Sequence, residues 1–451
     1  MEADLMRWMA VVMVWLLAAL SLGVSWLLHA DDASPVGVAT VASAAPIEDL
    51  DRIELTADGA AWSYARDADG WWQVRPFRHR MHADLLMALP DAMQSLEVLE
   101  VLPAGDPRLP SPSSLGLDPP VAVISLQGTR GGERAERTLH LGRWGMAGRA
   151  WAADPDSGQV MVVDGALHAL LNDEPPEGWR DLRLFPDLTV DADAVSRTVS
   201  GETLTLERDG RTWRITAPLV TRADAQAVMQ HVSELAGTRA SAVLLDEPPD
   251  LAAFGLEPPL ASVRVTSQGG TRTVRVGARL GGASQDRYGI VDGIPSVLQV
   301  DASDVTRLLG NPTMLVDHMG TDVARPDVAT IRVVTGDGDV AVHREGDRWR
   351  TSTGEDIPSG KVAALLDAML STRAEEVALR ETYPRELEQA VITLIDGDGG
   401  PLDTVRVLRE PGPPVGRRRW ALENGDNVLR ILPEEADVPF QSLLPAAPET
   451  P

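Results

Sequence analysis

The stretch that decides the fold is LERDGRTWRIT at residues 206–216, because it returns as VHREGDRWRTS at residues 342–352. Both copies read Arg, acid, Gly, two residues, Trp and Arg, which puts Trp213 and Trp349 in the same place. Apolar and polar residues alternate on both sides of the acid–Gly pair, the pattern of a β-hairpin. A looser copy, YARDADGWWQV at residues 64–74, places Trp72 in the equivalent position. The sequence therefore predicts three copies of one hairpin, each with a Trp ring on the core side.

A helix is expected after each Trp strand, because apolar residues recur there at helical spacing. The apolar stripe comprises Leu85, Leu86, Leu89, Met93 and Leu96 in the first copy, Ala225, Val228, Met229, Val232 and Leu235 in the second, and Val362, Leu365, Leu366, Met369 and Leu370 in the third. Asp224, paired with Thr221, and Ser359 are the expected caps. Pro90 predicts that the first helix is kinked or starts late.

A second signature follows the helix in two copies: LGLDPPVAVISL at residues 115–126 and FGLEPPLASVRV at residues 254–265. Gly116 and Gly255 permit an unusual backbone turn, and the paired prolines favour an extended entry into a strand. Further strands come next, and then Asp164 or Asp301 at the expected start of a short closing helix. The third copy keeps the strands, but ETYPRELEQA at residues 381–390 has lost the signature.

These repeats predict an α+β fold in which each module is an antiparallel sheet with a packed helix. The expected modules are residues 47–186, 187–322 and a degenerate third at 323–451, preceded by a flexible linker at 30–46.

An uncharged run from Trp8 to Leu28 predicts an N-terminal transmembrane helix within residues 1–29, since ~20 residues of helix span the hydrocarbon core. A cleaved signal peptide is the alternative, but its only small-residue site, at 42–44, lies well beyond the run. Arg7 precedes the run and acidic residues follow it, which favours a cytoplasmic N-terminus and modules outside the inner membrane.

Composition excludes several classes of function. The net charge of −26 is spread along the 451 residues, whereas nucleic-acid binding needs clustered Lys and Arg. The chain has no cysteine, so disulfides, thiolate metal sites and a Cys nucleophile are excluded.

No pattern of residues indicates catalysis, a cofactor or a metal. His79 and His82 are close in sequence but have no third ligand, so an exposed basic turn is the favoured interpretation. The runs at residues 336–339 and 396–399 suit hairpin turns better than calcium loops, which require further ligands at fixed positions. We therefore expect a protein that is not an enzyme.

Two features are candidates for contacts with a glycan or a partner. Trp144 and Trp151 are the best candidates for an aromatic platform. Arg417, Arg418 and Arg419 form the sharpest local charge feature, which could bind a partner or an anionic glycan, although a solvated loop is the favoured interpretation.

At the hairpin Trp, the following helix, the Gly-Leu-acid-Pro-Pro element and the N-terminal run, the chain resembles the bacterial domain of unknown function 4340 family. The resemblance implies an accessory, extracytoplasmic component of a gliding-motility-type ABC transporter, with its permease and auxiliary subunit as partners. It implies no catalytic residues. The alternatives are a stand-alone envelope scaffold or a glycan- or protein-binding protein, and, third, a hydrolase with unrecognised acidic residues.

Overall fold

The computed structural model of the chain describes residues 47–103, 105–145, 147–173, 175–189, 191–380, 385–410 and 418–444. Within these ranges one series of elements occurs three times: four strands, a helix, five strands and a closing turn of helix.

The first module contains nine strands and three α-helices in the described residues. The strands are β1 (Arg52–Ala57), β2 (Ala60–Asp67), β3 (Gly70–Arg75), β4 (His79–Arg80), β5 (Val98–Leu102), β6 (Ala122–Arg130), β7 (Glu133–Trp144), β8 (Arg149–Asp154) and β9 (Gln159–Asp164). The helices are α1 (Ala83–Ser95), α2 (Pro112–Leu115) and α3 (Ala166–Asp173), with a 3-10 helix at Pro176–Trp179.

The second module repeats this series. Its strands are β10 (Ala192–Val199), β11 (Glu202–Asp209), β12 (Thr212–Ala217), β13 (Thr221–Arg222), β14 (Ala242–Asp246), β15 (Ala261–Ser267), β16 (Gly270–Arg279), β17 (Arg287–Val291) and β18 (Ser296–Val300). Its helices are α4 (Ala225–Ala236) and α5 (Ala302–Leu309), with 3-10 helices at Ala252–Phe254 and Pro312–Leu315.

The third module keeps the series although its sequence signature is lost. Its strands are β19 (Thr330–Thr335), β20 (Gly338–Glu345), β21 (Arg348–Thr351), β22 (Asp356–Ile357), β23 (Glu376–Leu379), β24 (Glu388–Ile395), β25 (Pro401–Glu410), β26 (Arg419–Glu423) and β27 (Val428–Ile431). Its long helix is α6 (Ser359–Leu370), with 3-10 helices at Arg325–Asp327, Arg385–Leu387 and Phe440–Leu443.

All three sheets have nine strands in one order, which in the first module is β4-β3-β2-β1-β6-β7-β8-β9-β5. Neighbouring strands are antiparallel, as in the pairing of β1 with β2 and β6. The expected threefold repeat is confirmed. By contacts the chain divides into two compact units, Met1–Asp181 and Leu182–Pro451, and the second unit holds two of the sheets.

The expected fold class, α+β with an N-terminal transmembrane helix, is corrected by this architecture. Each module is mainly β, because VLEVL, AVLLD and EVAL form an extra strand after the helix that periodicity did not assign. No helix in the described ranges is long and apolar enough to cross a membrane, so the structure gives no support to that helix. The run that begins at Trp8 and the linker at 30–46 lie outside the described residues.

The core of each module lies between the long helix and one face of its sheet. In the first module Leu86, Leu89 and Met93 of α1 pack against strand residues such as Ile53 and Ile124, all of them fully buried. Burial of each such side chain contributes ~1.5–3 kcal/mol. The helix therefore stabilises the sheet through one apolar stripe.

The repeated Trp is buried in all three copies, but its position in the first copy is corrected. Trp213 pairs with Arg208 and Trp349 with Arg344, in each case as the second residue pair from the hairpin turn. The residue with that register in the first copy is Trp71, which pairs with Arg66 and belongs to the core under α1.

Trp72, expected in that role, takes a different place, because adjacent strand residues point to opposite faces. Its indole N–H donates to Asp67 Oδ1 at 3.0 Å. The Arg78 guanidinium lies over the ring, 4.1 Å from its centroid.

The helices agree with the predicted stripes except in α4. Val228, Val232 and Leu235 are buried, but Met229 is 51% exposed and His231 takes its place in the core. The stripe of α6 is confirmed at Val362, Leu365, Leu366 and Met369. Helix α1 does not start late, since it begins at Ala83 and contains Pro90.

Asp224 caps α4 as expected, because its side chain accepts from the backbone N–H groups of Gln226 and Ala227. Ser359 does not cap α6. It is the first residue of that helix, and its hydroxyl donates to the carbonyl of Asp347 at 3.2 Å. Asp301 precedes α5 but makes no capping hydrogen bond; it accepts instead from Ser241 at 2.6 Å.

The Gly-Leu-acid-Pro-Pro element packs on the outer face of the sheet, opposite the long helix. Gly116 and Gly255 have φ of +69° and +65°, a conformation that disfavours side chains. The element lies directly on a second glycine in the strand: a Cβ at Gly142 would be 2.5 Å from Leu115 O, and one at Gly277 would be 2.3 Å from Phe254 O. Paired glycines thus allow the loop to contact the strand backbone.

Candidate interaction surfaces

The two tryptophans predicted as a platform lie in neighbouring strands of the first module but have different surroundings. Trp144, at the end of β7, is 48% exposed, and its ring centroid lies 6.1 Å from that of His168 in α3. Trp151, in β8, is partly buried against the outer-face cluster of Leu115, Leu117 and Val160. Trp144 is therefore accessible, whereas Trp151 covers Gly142, whose added Cβ would meet it at 2.9 Å.

The predicted arginine run lies at the start of β26 in the third module. Arg417 is outside the described residues, and Arg418 is exposed. Arg419 donates to Glu376 Oε2 at 2.9 Å, and its other nitrogen lies 3.8 Å from Glu375 Oε2. At least one arginine of the run is thus paired with acids near β23 and is not a free cation.

The histidines and acidic turns serve the fold. His79 is buried in β4, with Nδ1 2.9 Å from Arg80 O, and is not part of an exposed turn. Asp396 closes the hairpin between β24 and β25 by accepting from the N–H groups of Asp398 and Gly400 at 2.9 and 2.7 Å, as predicted. Across the described residues no group of three His, Asp or Glu side chains is arranged to hold a metal ion.

The outermost strand after the helix carries exposed apolar side chains in every module. They are Leu99 and Val101 in β5, Leu244 and Leu245 in β14, and Leu379 in β23, each between 38% and 41% exposed. These strands end their sheets, so one row of backbone N–H and C=O groups points away from the sheet. A bulge between Val243 and Leu245 turns two consecutive leucines outward in β14.

A buried ionic network joins the second and third modules inside the second unit. Arg430 in β27 is fully buried. Its Nη2 donates to Asp426 Oδ2 at 2.9 Å and to Thr221 Oγ1 at 3.1 Å, while Nε donates to Asp317 O at 2.9 Å. Thr221 belongs to β13 and Asp317 to the connector, so one guanidinium binds both modules.

The same network fixes the connector at residues 314–322. Arg222 donates through Nε to Asp317 Oδ2 at 2.9 Å and through Nη2 to Met319 O at 2.7 Å. Arg373, after α6, donates to the cap Asp224 at 3.0 Å. Burial acts to raise the pKa of Asp426, but hydrogen bonds and charge from Arg430 outweigh it and hold that pKa below its ordinary value. The carboxylate therefore stays ionised at neutral pH.

Sequence reasoning missed both the edge strands and the junction. The junction had a detectable signal: the residue equivalent to Arg430 is Met161 in β9 and Leu298 in β18, both buried. A lone arginine at an otherwise apolar core position indicates a specific buried partner. The edge strands had little signal, since four or five residues are too few to show alternation.

Comparisons with known proteins add one family. Residues 213–390 match the family model described as a domain of unknown function (DUF4340), a region from β12 into β24 that covers less than half of the chain. The resemblance seen in the sequence is therefore confirmed for this region.

No curated protein matches the chain. One solved structure, described as a Ca2+-stabilized adhesin that helps an Antarctic bacterium reach out and bind ice, has 10% identity over 83% of this chain and 89% of that chain. Its TM-score is 0.09, so the similarity carries no argument about fold or function.

Proposed function

We propose that this chain, which resembles the domain of unknown function 4340 family across its second and third modules, is a non-catalytic binding subunit. It engages a protein partner along the outer strands β5, β14 and β23. The observation that carries the proposal is the recurrence of exposed apolar side chains on the same sheet edge in all three modules. Such an edge can accept an extended segment of a partner by main-chain pairing, with pockets for alternate side chains.

The buried junction supports this function, because it gives the second unit one defined arrangement of two edges. Removing either partner from a buried ion pair is costly, so Arg430 and Asp426 hold β13 and the connector against the third module. Two edges at a fixed separation bind a two-site partner more tightly than two edges on a flexible linker.

We further propose that the partner is a permease or auxiliary subunit of a gliding-motility-type ABC transporter and that the modules are extracytoplasmic. This part of the proposal comes from the family resemblance. A stand-alone envelope protein that binds glycans is the second candidate, favoured by the exposed ring of Trp144.

The test compares two variants of the full chain in its own host. In one, Leu244 and Leu245 are both replaced by Lys, which places charges on the edge of β14. In the other, Met229→Lys places a charge on the exposed side of α4, where Met229 is 51% exposed. Each protein is cross-linked in cells and purified, and the partners are identified by mass spectrometry.

We expect an ATPase and a permease to be recovered with the wild type and with Met229→Lys, and to be lost with the double lysine variant. If the double variant retains the partners, the edge of β14 is not the binding surface. If no transporter subunit is recovered with any of the three proteins, the transporter assignment is wrong, and binding of envelope glycans to Trp144→Ala and wild type is compared instead.

A further inference from the structure

Three polar atoms in the core of the first module have no hydrogen-bond partner among the described residues. They are the hydroxyl oxygen of Tyr64, the amide oxygen of Gln73 and the indole nitrogen of Trp179. Each of these residues is fully buried. Buried polar groups in folded proteins are nearly always hydrogen-bonded, because an unpaired one costs free energy. Three such atoms in one core therefore point to a binding partner.

The three side chains lie close together. Tyr64 in β2 and Gln73 in β3 are directly opposite each other in the sheet, so both side chains are on its core face. The ring centroids of Tyr64 and Trp179 are 6.1 Å apart. Gln73 Nε2 donates to the carbonyl of Phe77 at 3.2 Å, and this hydrogen bond fixes the orientation of the amide.

The hydroxyl of Tyr64 is a donor at this position. Burial raises the pKa of Tyr64 well above its ordinary value; the charge of Glu177 adds to this shift and that of Arg180 opposes it. The phenol therefore keeps its proton at neutral pH. Glu177 belongs to the same 3-10 helix as Trp179, so the phenol lies beside the helix that carries the indole.

The second module fills the equivalent space with apolar side chains, which stand where the first module has Tyr64, Gln73 and Trp179. They are the buried residues Leu206, Ile215 and Leu315. The first two form a strand pair directly after a bulge, as Tyr64 and Gln73 do. The carbonyl of the third accepts from the residue that precedes α4, as the carbonyl of Trp179 accepts from the residue that precedes α1. The fold therefore does not require polar atoms here, and the first module has two donors and one acceptor together.

We propose that one water molecule is bound between Tyr64, Gln73 and Trp179 in the core of the first module. The water accepts hydrogen bonds from the phenol and the indole and donates one to the amide oxygen. Three hydrogen bonds are the usual number for a buried water, and such a water is costly to remove. The bound water joins β2, β3 and the 3-10 helix that closes the module.

The first test is the sign of the stability change caused by Tyr64→Phe in the full chain. The substitution removes the hydroxyl, so the bound water loses one of its three hydrogen bonds. Chemical denaturation is expected to show an unfolding equilibrium constant about fivefold larger than that of the wild type. A hydroxyl without a partner would give the opposite result, because its removal relieves the cost of burial. A variant as stable as the wild type, or more stable, therefore overturns the proposal.

Tyr288→Phe is the matched control for this measurement. It removes the same hydroxyl from a partly buried tyrosine of the second module. The unfolding equilibrium constant is expected to remain within about twofold of the wild type. A change equal to that of Tyr64→Phe would mean that the effect is not specific to the proposed site.

Gln73→Met tests whether one water is shared by the three side chains. The lost hydrogen bond to Phe77 is common to both arms of the comparison and cancels. In the Gln73→Met background Tyr64→Phe is expected to change the equilibrium constant by less than about twofold, because the two residues act through the same molecule. An unchanged fivefold effect in both backgrounds overturns the proposal of a shared water.

A crystal structure of the full chain provides the direct observation. One electron-density peak is expected within hydrogen-bond distance of the Tyr64 hydroxyl, Gln73 Oε1 and Trp179 Nε1. The proposal is overturned if ordered waters are visible elsewhere in the structure but these three atoms bond to one another or have no peak between them.

Discussion

The outer face of the sheet is packed differently in the first two modules and in the third. At one strand position the first two modules have glycine, where the third has a large apolar side chain. In β7 and β16 the strand carries Gly142 and Gly277, each beneath the Gly-Leu-acid-Pro-Pro element. In β25 the equivalent residue is Leu408, which is fully buried with Ala421, Leu429 and Ile431. The facing residue changes in the opposite sense, from Trp151 in the first module to Ala421 in the third.

This difference shows that the nine-stranded sheet is retained in all three modules, whereas the Gly-Leu-acid-Pro-Pro element is not. A loop that contacts the strand backbone needs glycine beneath it, whereas an apolar side chain can fill the same layer once the loop is gone. The signature is one of two solutions to covering the outer face, and the third module uses the other.

A second difference concerns β9, β18 and β27, the strands that lie next to the edge strands β5, β14 and β23. It lies on the face of the sheet that is turned toward the core. Met161 and Leu298 are ordinary core residues in the first two modules, while Arg430 occupies that place in the third. The third module gives up an apolar contact there and gains hydrogen bonds to Thr221 and Asp317 of the second. Substitutions at these positions test how far each module depends on its own side chains.

The largest effect is expected from Arg430→Met, which restores the residue of the first module. Asp426, whose side chain is only 11% exposed, would remain without its cation, at a cost of about 3–5 kcal/mol in the free energy of unfolding of the second unit. Chemical denaturation monitored by tryptophan fluorescence measures this loss. Arg418→Met, an exposed arginine of the same module, should stay within about 0.5 kcal/mol of wild type; equal stability of the two variants would contradict the assigned role.

Leu408→Ala should follow, with a loss of about 3 kcal/mol, because truncation of a fully buried leucine leaves a cavity. The same denaturation experiment measures it. Leu402→Ala, in the same strand and 36% exposed, is the matched control and should cost less than about 1 kcal/mol. A loss at Leu408 no greater than at Leu402 would mean that the third module does not depend on this cluster.

Gly277→Ala should have the smallest effect of the three, about 2 kcal/mol, because the added methyl group meets Phe254 O and forces a local shift. Gly281→Ala is the control, since a Cβ there meets nothing within 4 Å. Tyr288→Ala should not rescue Gly277→Ala, because the obstacle is a backbone carbonyl. Rescue by Tyr288→Ala would place the conflict between side chains instead.

Local patterns predicted the local structure of this protein well. The hairpins around Trp213 and Trp349, the stripe of α6 and the positive φ of Gly116 and Gly255 depend on neighbours a few residues away. The same reasoning assigned the first-copy position to Trp72 in place of Trp71, because two adjacent tryptophans cannot be told apart without the strand register. It also put Met229 in the core of α4 and missed His231, since a histidine does not count toward an apolar stripe.

Contacts between distant residues could not be predicted in this way. Thr221 and Arg430 are 209 positions apart, and although an arginine at an apolar core position indicates a buried partner, it does not indicate which residue that partner is. The surroundings of the two candidate tryptophans could not be predicted either: Trp144 and Trp151 are close in sequence, but Trp151 packs over Gly142 on the outer face, whereas Trp144 is exposed.

The position of β4 and β5 at opposite ends of the strand order has a consequence for curvature. These strands are consecutive in the chain and are joined through α1. Eight strand spacings in a flat sheet measure ~38 Å, whereas a helix of 13 residues is only ~20 Å long. The short linkers on either side of the helix mainly connect the level of the sheet with the level of the helix. Met81, which follows β4, and Val98, which begins β5, belong to the same core although these strands lie at opposite ends of the strand order. Each sheet must therefore curve around its helix. The length of that helix limits how wide a module can be.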